Sequence, residues 1–492
     1  MLFKDEQLPK ALYRAQTVRE AEASYIHSGE VGLFELIERA GQAAFDLLQQ
    51  LQRSSGKVAV IAGYGNNGAD AYICATLLLE AGANVALFAI PREEVGAGNV
   101  HAKAAFITAG GCLSENLGAA LDDADVIVEG LLGTGFHGEV TAEFAEVINA
   151  INAHQAWTLS LDIPSGIAAD TGAGLLAIKA DATLTFGAMK QGLITAKARD
   201  CVGQLWFTDL GLTPFLPASN CFNIAYQQSD LGLPIRAKHS HKGSCGKVTV
   251  IGGDIGMAGA TRLAGESCLR AGAGLVCVIS RPQHLVVINS GRPELMFWGC
   301  ELVDMEVYQR LGWADVLLIG PGLGKQDWGY NLLKATALSD KPCVMDADAL
   351  NLLATEPAKQ HNWVLTPHSG EAARLLGVSV EQIEQDRFAA VRALQQKFGG
   401  VIVLKGAGSI IYDGERCHVA PVGNPGLASG GSGDVLGGII AALMAQGMSN
   451  MDAASAGVVI HGVAADMAAK DGERGMLACD LFPFIRLLVD KI

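Results

Sequence analysis

No stretch of this sequence stays apolar for the roughly 20 residues that a bilayer crossing needs, and no lysine-rich run appears anywhere in it. The first lack argues against a membrane-spanning helix. The second, joined to a formal net charge of −15, argues against a nucleic-acid or anionic-membrane surface, where a basic patch is required. The first residues, MLFKDEQLPKALYRAQ, carry charges and lack the apolar core of a signal peptide, so a cytoplasmic location is expected. The 11 cysteines include no CxxC pair and no Cys/His ligand spacing. A zinc site or a disulfide framework is therefore not expected, and most thiols should be buried in a reducing compartment. Charged residues make up only 18% of the chain, which leaves little material for disorder.

What is present in quantity is glycine, 60 residues, within a chain that is 50% hydrophobic. Large α/β enzymes have this profile, because buried parallel strands and tight strand–helix turns demand it. At 492 residues the chain is too long for one core, and two or more domains are expected. In the first half, strand-like runs at 57–62, 84–90, 125–130, 157–161, 182–186 and 204–209 alternate with helical ones at 70–81, 100–109 and 141–152. A longer helical pattern, 17–52, precedes them. This alternation predicts a parallel sheet covered on both faces. The pattern lapses between Gly211 and Lys238, through Pro214, Pro217, Pro234 and the polar clusters Ser219–Asn220 and Gln227–Asp230. The boundary is placed near Asn223, giving domains 1–222 and 223–492. The second half restarts with a strand inside HKGSCGKVTVIGG, a helix over 257–271, and strands at 275–280, 315–319, 342–346, 363–366 and 401–405. A hairpin of 409–412 with 417–421 follows.

Ligands of parallel sheets bind beyond the carboxyl ends of the strands, and the polar residues collect there. In the first half these are GYGNNGAD (63–70), GLLGTGFHGE (130–139) and DIPSGIAADTG (162–172). Asp162 closes a strand and is either a chemical group or an Asx-turn residue. Lys190 is either its positive partner or a solvated surface lysine. In the second half the loops are GPGLG (320–324), Asp346 and Asp348, Thr366–Pro367–His368 and KGAGS (405–409). His368 is a ligand-binding group or the cap of the next helix. The sharpest stretch is NPGLASGGSGDVLGG, 424–438. Its glycines feed the N-terminus of an apolar helix over 435–445, where free N–H groups suit a phosphate. A carboxylate there, Asp434, suits a base that deprotonates a hydroxyl attacking that phosphate, or else a simple helix cap. Lys405, His368, Gly322 and Asp434 are expected to converge.

These seven motifs, in this order, resemble the bifunctional NAD(P)H-hydrate repair enzymes over nearly the whole chain. The resemblance implies an α/β protein with an N-terminal Rossmann-like αβα sandwich, an NAD(P)HX epimerase, followed by a ribokinase-like ADP-dependent NAD(P)HX dehydratase. It implies that Asn66, Asn67, Gly68, Ala69 and Asp70 bind the hydrated dinucleotide together with Gly133, Thr134, Gly135, Phe136, His137, Gly138 and Glu139. Asp162 would assist epimerisation, and a potassium ion would lie near Asn67, Glu129 and Ser165. In the second domain Ala260, Gly322, His368 and Asp434 would bind substrate, with Asp434 also the catalytic base. Lys405, Gly406, Ala407, Gly408, Ser409 and Gly433 would hold the adenine nucleotide, ADP as co-substrate with Mg2+. Expected partners are NADHX, NADPHX and ADP, with no nucleic acid and no membrane, and a homo-oligomer is expected. Rival readings are a ribokinase-like kinase of a small alcohol or vitamin precursor, and a non-catalytic dinucleotide sensor.

Overall fold

The computed structural model describes residues 2–4, 7–92, 95–225 and 231–490. The polar cluster Gln227–Asp230 lies outside the described residues. The chain divides into two compact units, Met1–Asn223 and Ile224–Ile492.

The first unit is built on β1 (Phe3–Lys4), β2 (Lys57–Ala62), β3 (Asn84–Ala89), β4 (Val126–Gly130), β5 (Trp157–Leu161), β6 (Ala182–Phe186) and β7 (Gln204–Thr208). A short β8 (Cys221–Asn223) ends its stretch of chain. The sheet order is β1-β7-β6-β5-β4-β2-β3, parallel except where β1 meets β7. Strands β2 and β4 carry the apolar runs Val58–Ala62 and Val126–Val128, because both faces are covered. One layer packs the helices Leu33–Gln50 and Asn66–Glu80 over Val58, Val60, Val126 and Val128, while Ile61 and Ile127 face a second cluster with Phe144, Ile148 and Ile151. The long helix expected over 17–52 is instead two, Ala15–His27 and Leu33–Gln50. The break falls at Ser28–Gly32, where Gly29 has φ +77°, a left-handed turn open to glycine. The helix expected from Asp70 starts at Asn66, with extended Gly65 before it. NNGAD is thus a first helical turn rather than a loop.

The second unit uses β9 (Lys247–Ile251), β10 (Leu275–Ser280), β11 (Met296–Gly299), β12 (Val316–Ile319), β13 (Cys343–Met345), β14 (Trp363–Leu365), β15 (Val401–Leu404), β16 (Ser409–Tyr412) and β17 (Cys417–Ala420). Their order is β11-β10-β9-β12-β13-β14-β15-β16-β17, parallel from β11 to β15 and antiparallel through the hairpin. The helices Ser432–Ala445 and Asn450–Ala468 are buried along nearly their whole length and form the centre of this unit's core. Strand β11 escaped the sequence reading because MFWG is short and lacks alternation.

In both sheets the strand order reverses once, between β2 and β4 in the first and between β9 and β12 in the second. A crevice opens at such a switch point beyond the strand ends. The glycine loops 63–65 and 130–135 flank the first, and 252–253 and 320–324 flank the second.

Each unit has its own apolar core, so each should fold alone. Expressed separately, Met1–Asn223 and Ile224–Ile492 are expected to give one cooperative thermal transition each by circular dichroism. A piece that shows none does not carry a self-sufficient core.

Candidate functional site

A cavity of about 560 Å³ opens at the switch point of the first unit. Asn66, Asn67 and Asp70 line it from one helix, Gly133–His137 and Glu139 from the loop after β4, and Asp162 from the end of β5. Gly68, Ala69 and Gly138, expected with them, are not among its lining residues. Gly68 and Ala69 face inward on the helix: a Cβ on Gly68 would lie 2.0 Å from the Gly63 carbonyl oxygen, and Ala69 is wholly buried in the apolar core. Both pack against the core on that side, and the backbone is what they have to offer a ligand in the first turn of the helix. Three liners, Arg19, Glu22 and Ile26, come from the helix Ala15–His27, which motif reading missed because it precedes every glycine loop. Arg19 Nη1 donates to the Thr134 carbonyl at 2.9 Å, and Glu22 presents its carboxyl to the cavity.

Asp162 holds φ +63°, a region costly for a residue with a Cβ. That turn aims its carboxylate at Lys190, whose Nζ donates to Oδ1 at 2.5 Å, while the Thr134 N–H donates to Oδ2 at 3.3 Å. Lys190 is 1% exposed and also donates to Thr185 Oγ1 and the Phe186 carbonyl. The solvated-lysine reading is therefore wrong. Burial, then the Asp162 and Glu22 charges, push the Asp70 carboxyl well above its ordinary range. Burial likewise raises Glu22, against the lowering effect of Lys190. The cavity thus combines a carboxylate paired to a lysine with two carboxyls biased toward the neutral acid.

Beneath it, Glu129 is fully buried at the end of β4. Ser165 donates to it twice, from Oγ at 2.6 Å and from N at 3.0 Å, and the Leu131 N–H donates at 3.2 Å. Among the described residues no basic side chain pairs with it. Burial raises its pKa against those hydrogen bonds. Asn67 Nδ2 donates to the Leu132 and Leu161 carbonyls, leaving Asn67 Oδ1 buried without a partner. An orphan acceptor beside an uncompensated carboxylate fits a small cation with oxygen ligands. Among the described residues, no cluster of three His, Cys, Asp or Glu side chains could hold a metal.

In the second unit the helix Ser432–Ala445 begins three residues before the apolar run that was expected to start it, which puts Asp434 in the first turn. Gly431 precedes it at φ +91°, and no side chain caps it, so its leading N–H groups stay open. Ser432 Oγ turns back to the Leu427 and Ser429 carbonyls and shapes the loop. A Cβ on Gly433 would lie 3.3 Å from Lys405 Nζ and 3.5 Å from Asp346 Oδ2. Lys405 Nζ donates to Asp346 Oδ1 at 2.7 Å and lies 3.9 Å from Glu371. Burial works against its charge, but Asp346, Glu371 and Asp434 together raise its pKa. Asp346 is 2% exposed and also accepts from Thr366 Oγ1 at 2.9 Å. Burial and the Asp346 charge lift the Asp434 carboxyl to about 7, with Lys405 opposing.

Of the four residues expected to converge, Lys405 and Asp434 meet around Asp346. His368 caps the helix Ser369–Leu376, its Nδ1 accepting from the N–H groups of Gly370 and Glu371, so the cap reading holds. With Nδ1 an acceptor, Nε2 carries the proton. Burial and Lys405 lower its pKa. Gly322 lies on the other lip, where a Cβ would come within 3.3 Å of the Ala260 Cβ. Asp348 accepts from the Gly324 N–H at 3.0 Å. The Lys405–Ser409 loop lies on the opposite side, closed by a Ser409 Oγ to Gly406 carbonyl bond of 3.2 Å.

These features define a two-domain α/β enzyme, with one strand-end site beside an acid-lined cavity and another at a glycine nest holding a carboxylate. Residues 33–192 match the family described as YjeF-related protein N-terminus, and residues 248–486 match the family described as NAD(P)H-hydrate dehydratase. The chain is 44% identical to the bifunctional NAD(P)H-hydrate repair enzyme Nnr of Coxiella burnetii, over 97% of this chain and 99% of that one. It is also 44% identical to the enzyme of the same description from Escherichia coli, over 98% and 95%. A ribokinase-like superfamily protein from Enterococcus faecalis superimposes with a TM-score of 0.51 at 29% identity, covering 55% of this chain and 96% of that one. The chain belongs to the bifunctional NAD(P)H-hydrate repair enzymes, in which an epimerase domain precedes a ribokinase-like dehydratase domain.

The Asp434 carboxyl titrates higher in the fold than the ordinary 3.8. Native protein therefore binds more protons than unfolded between pH about 4 and 7, and the ionised side chain costs stability above that window. Asp434→Asn should raise the melting temperature of the second unit at pH 8 and have little effect below pH 4. A gain that is the same at both pH values would mean that Asp434 is not strained by its charge.

Lys190→Met leaves Asp162 without its partner. Breaking a pair this buried should cost about 3–5 kcal/mol of the first unit's stability. Adding Asp162→Asn should recover much of the loss in urea titrations.

Proposed function

We propose that this chain repairs hydrated nicotinamide cofactors, interconverting the R and S forms of NAD(P)HX and dehydrating the S form at the expense of ADP. The observation that carries this reading is Asp434, a carboxyl lifted to about 7 beside a half-buried lysine at an uncapped helix N-terminus. A base poised near neutrality suits deprotonation of an alcohol at physiological pH.

In NAD(P)HX a hydroxyl stands on C6 of the ring, next to nitrogen, and hydroxide leaves poorly. Asp434 takes the hydroxyl proton while that oxygen attacks the terminal phosphate of ADP, entering as its magnesium complex. The N–H groups between Gly430 and Gly433 steady the phosphoryl group as it transfers. AMP departs, the ring nitrogen expels phosphate from C6, and loss of a proton from C5 restores the double bond of NAD(P)H. Lys405, held by Asp346, offsets the charge gathered there, and Lys405–Ser409 with Gly433 hold the nucleotide. Ala260, Gly322 and His368 Nε2 face the hydrated cofactor.

In the first unit Asp162 takes the C6 hydroxyl proton as the C6–N1 bond opens to an aldehyde and returns it when the nitrogen closes on the other face, and Lys190 fixes its carboxylate. Asn67 Oδ1, Glu129 and Ser165 would hold potassium, which when bound supplies a fixed positive charge beside the cavity. Asn66, Asn67, Asp70, Gly133–His137 and Glu139 bind the dinucleotide.

Chemically hydrated NADH, ADP and the full chain should regain absorbance of the reduced nicotinamide, with AMP and phosphate released. Asp434→Asn should slow this by roughly 10²–10⁴, and the wild-type rate should rise with pH through about 7 and level above it. A stable phosphorylated product would instead identify a kinase.

Asp162→Ala should leave the fast phase intact but stop it at a plateau, with the second epimer consumed only at its spontaneous rate. Replacing potassium by choline should slow only that second phase. Full-speed consumption of both epimers by Asp162→Ala would remove the epimerase assignment from the first unit.

A further inference from the structure

Arg387 is the most deeply buried arginine of the second unit, 1% exposed, at the first position of the helix Arg387–Phe398. Isolated guanidinium groups are not buried without cause, since desolvation must be offset by partners. Its partners are specific. Nη2 donates to the carbonyls of Leu404 at 3.1 Å and Lys405 at 3.2 Å. Nη1 donates to Glu384 Oε1 at 3.0 Å and to Ser369 Oγ at 3.4 Å, and Ser369 Oγ itself donates to Glu384. One planar group therefore ties the start of the Lys405–Ser409 loop to the first residue of the helix that His368 caps. A backbone bond from Lys405 N to the Pro367 carbonyl, 2.9 Å, runs alongside.

Gly406 shows how closely the guanidinium approaches. Its φ is +151°, and a Cβ there would lie 2.8 Å from both Nη1 and Nη2. The loop has no side chain at the point where Arg387 presses against it, so the guanidinium sets how far the Lys405–Ser409 backbone stands off the sheet. Glu384, which is 43% exposed on its side chain, holds Nη1 in that orientation.

We propose that Arg387 is a positioning residue of the dehydratase site, locking the Lys405–Ser409 loop at the height and angle that adenine nucleotide requires. The inference rests on the reading of that loop as the nucleotide loop. Arg387 touches the backbone of the loop from beneath and does not reach the reacting phosphate, so it acts on nucleotide affinity and leaves the chemistry at Asp434 alone.

The test is steady-state dehydration of hydrated NADH by the full chain, with ADP and the hydrate varied in turn. Arg387→Met loses hydrogen bonds from a charged donor, and the KM for ADP should rise by roughly 10-fold or more. kcat at saturating ADP and the KM for the hydrate should change by less than about threefold, since Asp346 still holds the Lys405 amine and the helix cap still holds His368. Arg387→Lys, which keeps the charge but loses the fork that serves both carbonyls and Glu384, should fall between. A KM for ADP within about twofold of wild type in Arg387→Met, or a fall in kcat with KM for ADP unchanged, overturns the proposal. Should Arg387→Met show no cooperative melting transition, Glu384→Gln takes its place. It leaves the buried arginine present but loosely oriented, and it should raise the KM for ADP about threefold with kcat preserved; no change overturns the proposal. Wild-type protein that never saturates with ADP overturns the nucleotide reading and this inference together. Normal wild-type saturation with unaltered variants overturns the inference alone.

Discussion

A lysine held against a buried carboxylate at the carboxyl end of a parallel strand is the interaction on which both halves of this protein depend. In the first unit it is Lys190 with Asp162 at 2.5 Å, and in the second Lys405 with Asp346 at 2.7 Å. Each carboxylate stands where the backbone turns sharply out of a strand. Asp162 itself holds a positive φ, and so does Ala347 directly after Asp346. Strain of this kind persists only when the surroundings over-determine it, and the lysine is what does so. Neither pair is chiefly a source of stability, because the desolvation of both partners consumes most of what their attraction provides. What the pairs provide is a fixed charge pattern in a water-poor crevice, where neighbouring carboxyls then shift. Asp70 and Glu22 rise in one site and Asp434 in the other.

The fold follows from the position of those crevices. A doubly wound sheet has one place where adjacent strands send their connections to opposite faces. Both sheets put glycine loops there, and the helices that follow begin with their N–H groups directed at the opening. That common plan explains why a chain with two unrelated sets of motifs repeats the same elements: glycine turn, helix start, buried strand-end aspartate, paired lysine. It also accounts for the high glycine content. The close approach of Gly320 to the Asp346 carbonyl, 1.8 Å from a built Cβ, leaves no room for any other residue at that corner.

Much of this was legible in the sequence because its signals are local. Strands β2, β5, β6 and β10 fall on the residues that apolar runs between glycine turns indicate, and NPGLASGGSGD announces a nest without any structure. Signals that depend on tertiary partners were not legible. Nothing near Lys190 in AMKQG tells a buried lysine from a surface one; its burial is decided by Asp162, 28 residues away. Glu22 lies on a helix with no motif and enters the cavity only because that helix packs beside the strand ends. Gly68 and Ala69 are a different case. They sit inside a binding motif but on the buried face of a helical turn, and a motif read as a string cannot separate the faces of the helix it begins. Ser369 and Arg387 belong to a brace assembled from three separate segments, which no single stretch reveals.

The elevated Asp434 carboxyl links these arguments to the chemistry. A carboxylate at a helix N-terminus normally gains from the dipole and titrates low, and the nest around Gly431 should have had that effect. Here burial and the proximity of Asp346 outweigh it, with Lys405 limiting the rise to about 7. Had Lys405 been free to pair with Asp434 alone, the base would be too weak to take a proton from an alcohol. Had it been absent, the Asp434 carboxyl would rise further, since Lys405 is what opposes burial and the Asp346 charge. Sharing one lysine between Asp346 and the open side of the nest places the base between those limits. The same sharing leaves the lysine partly available to incoming phosphate, so nucleotide binding would draw positive charge away from the carboxylates as the substrate hydroxyl arrives. Burial first, and after it the charge of Asp346, which no motif singled out as reactive, lifts the Asp434 carboxyl.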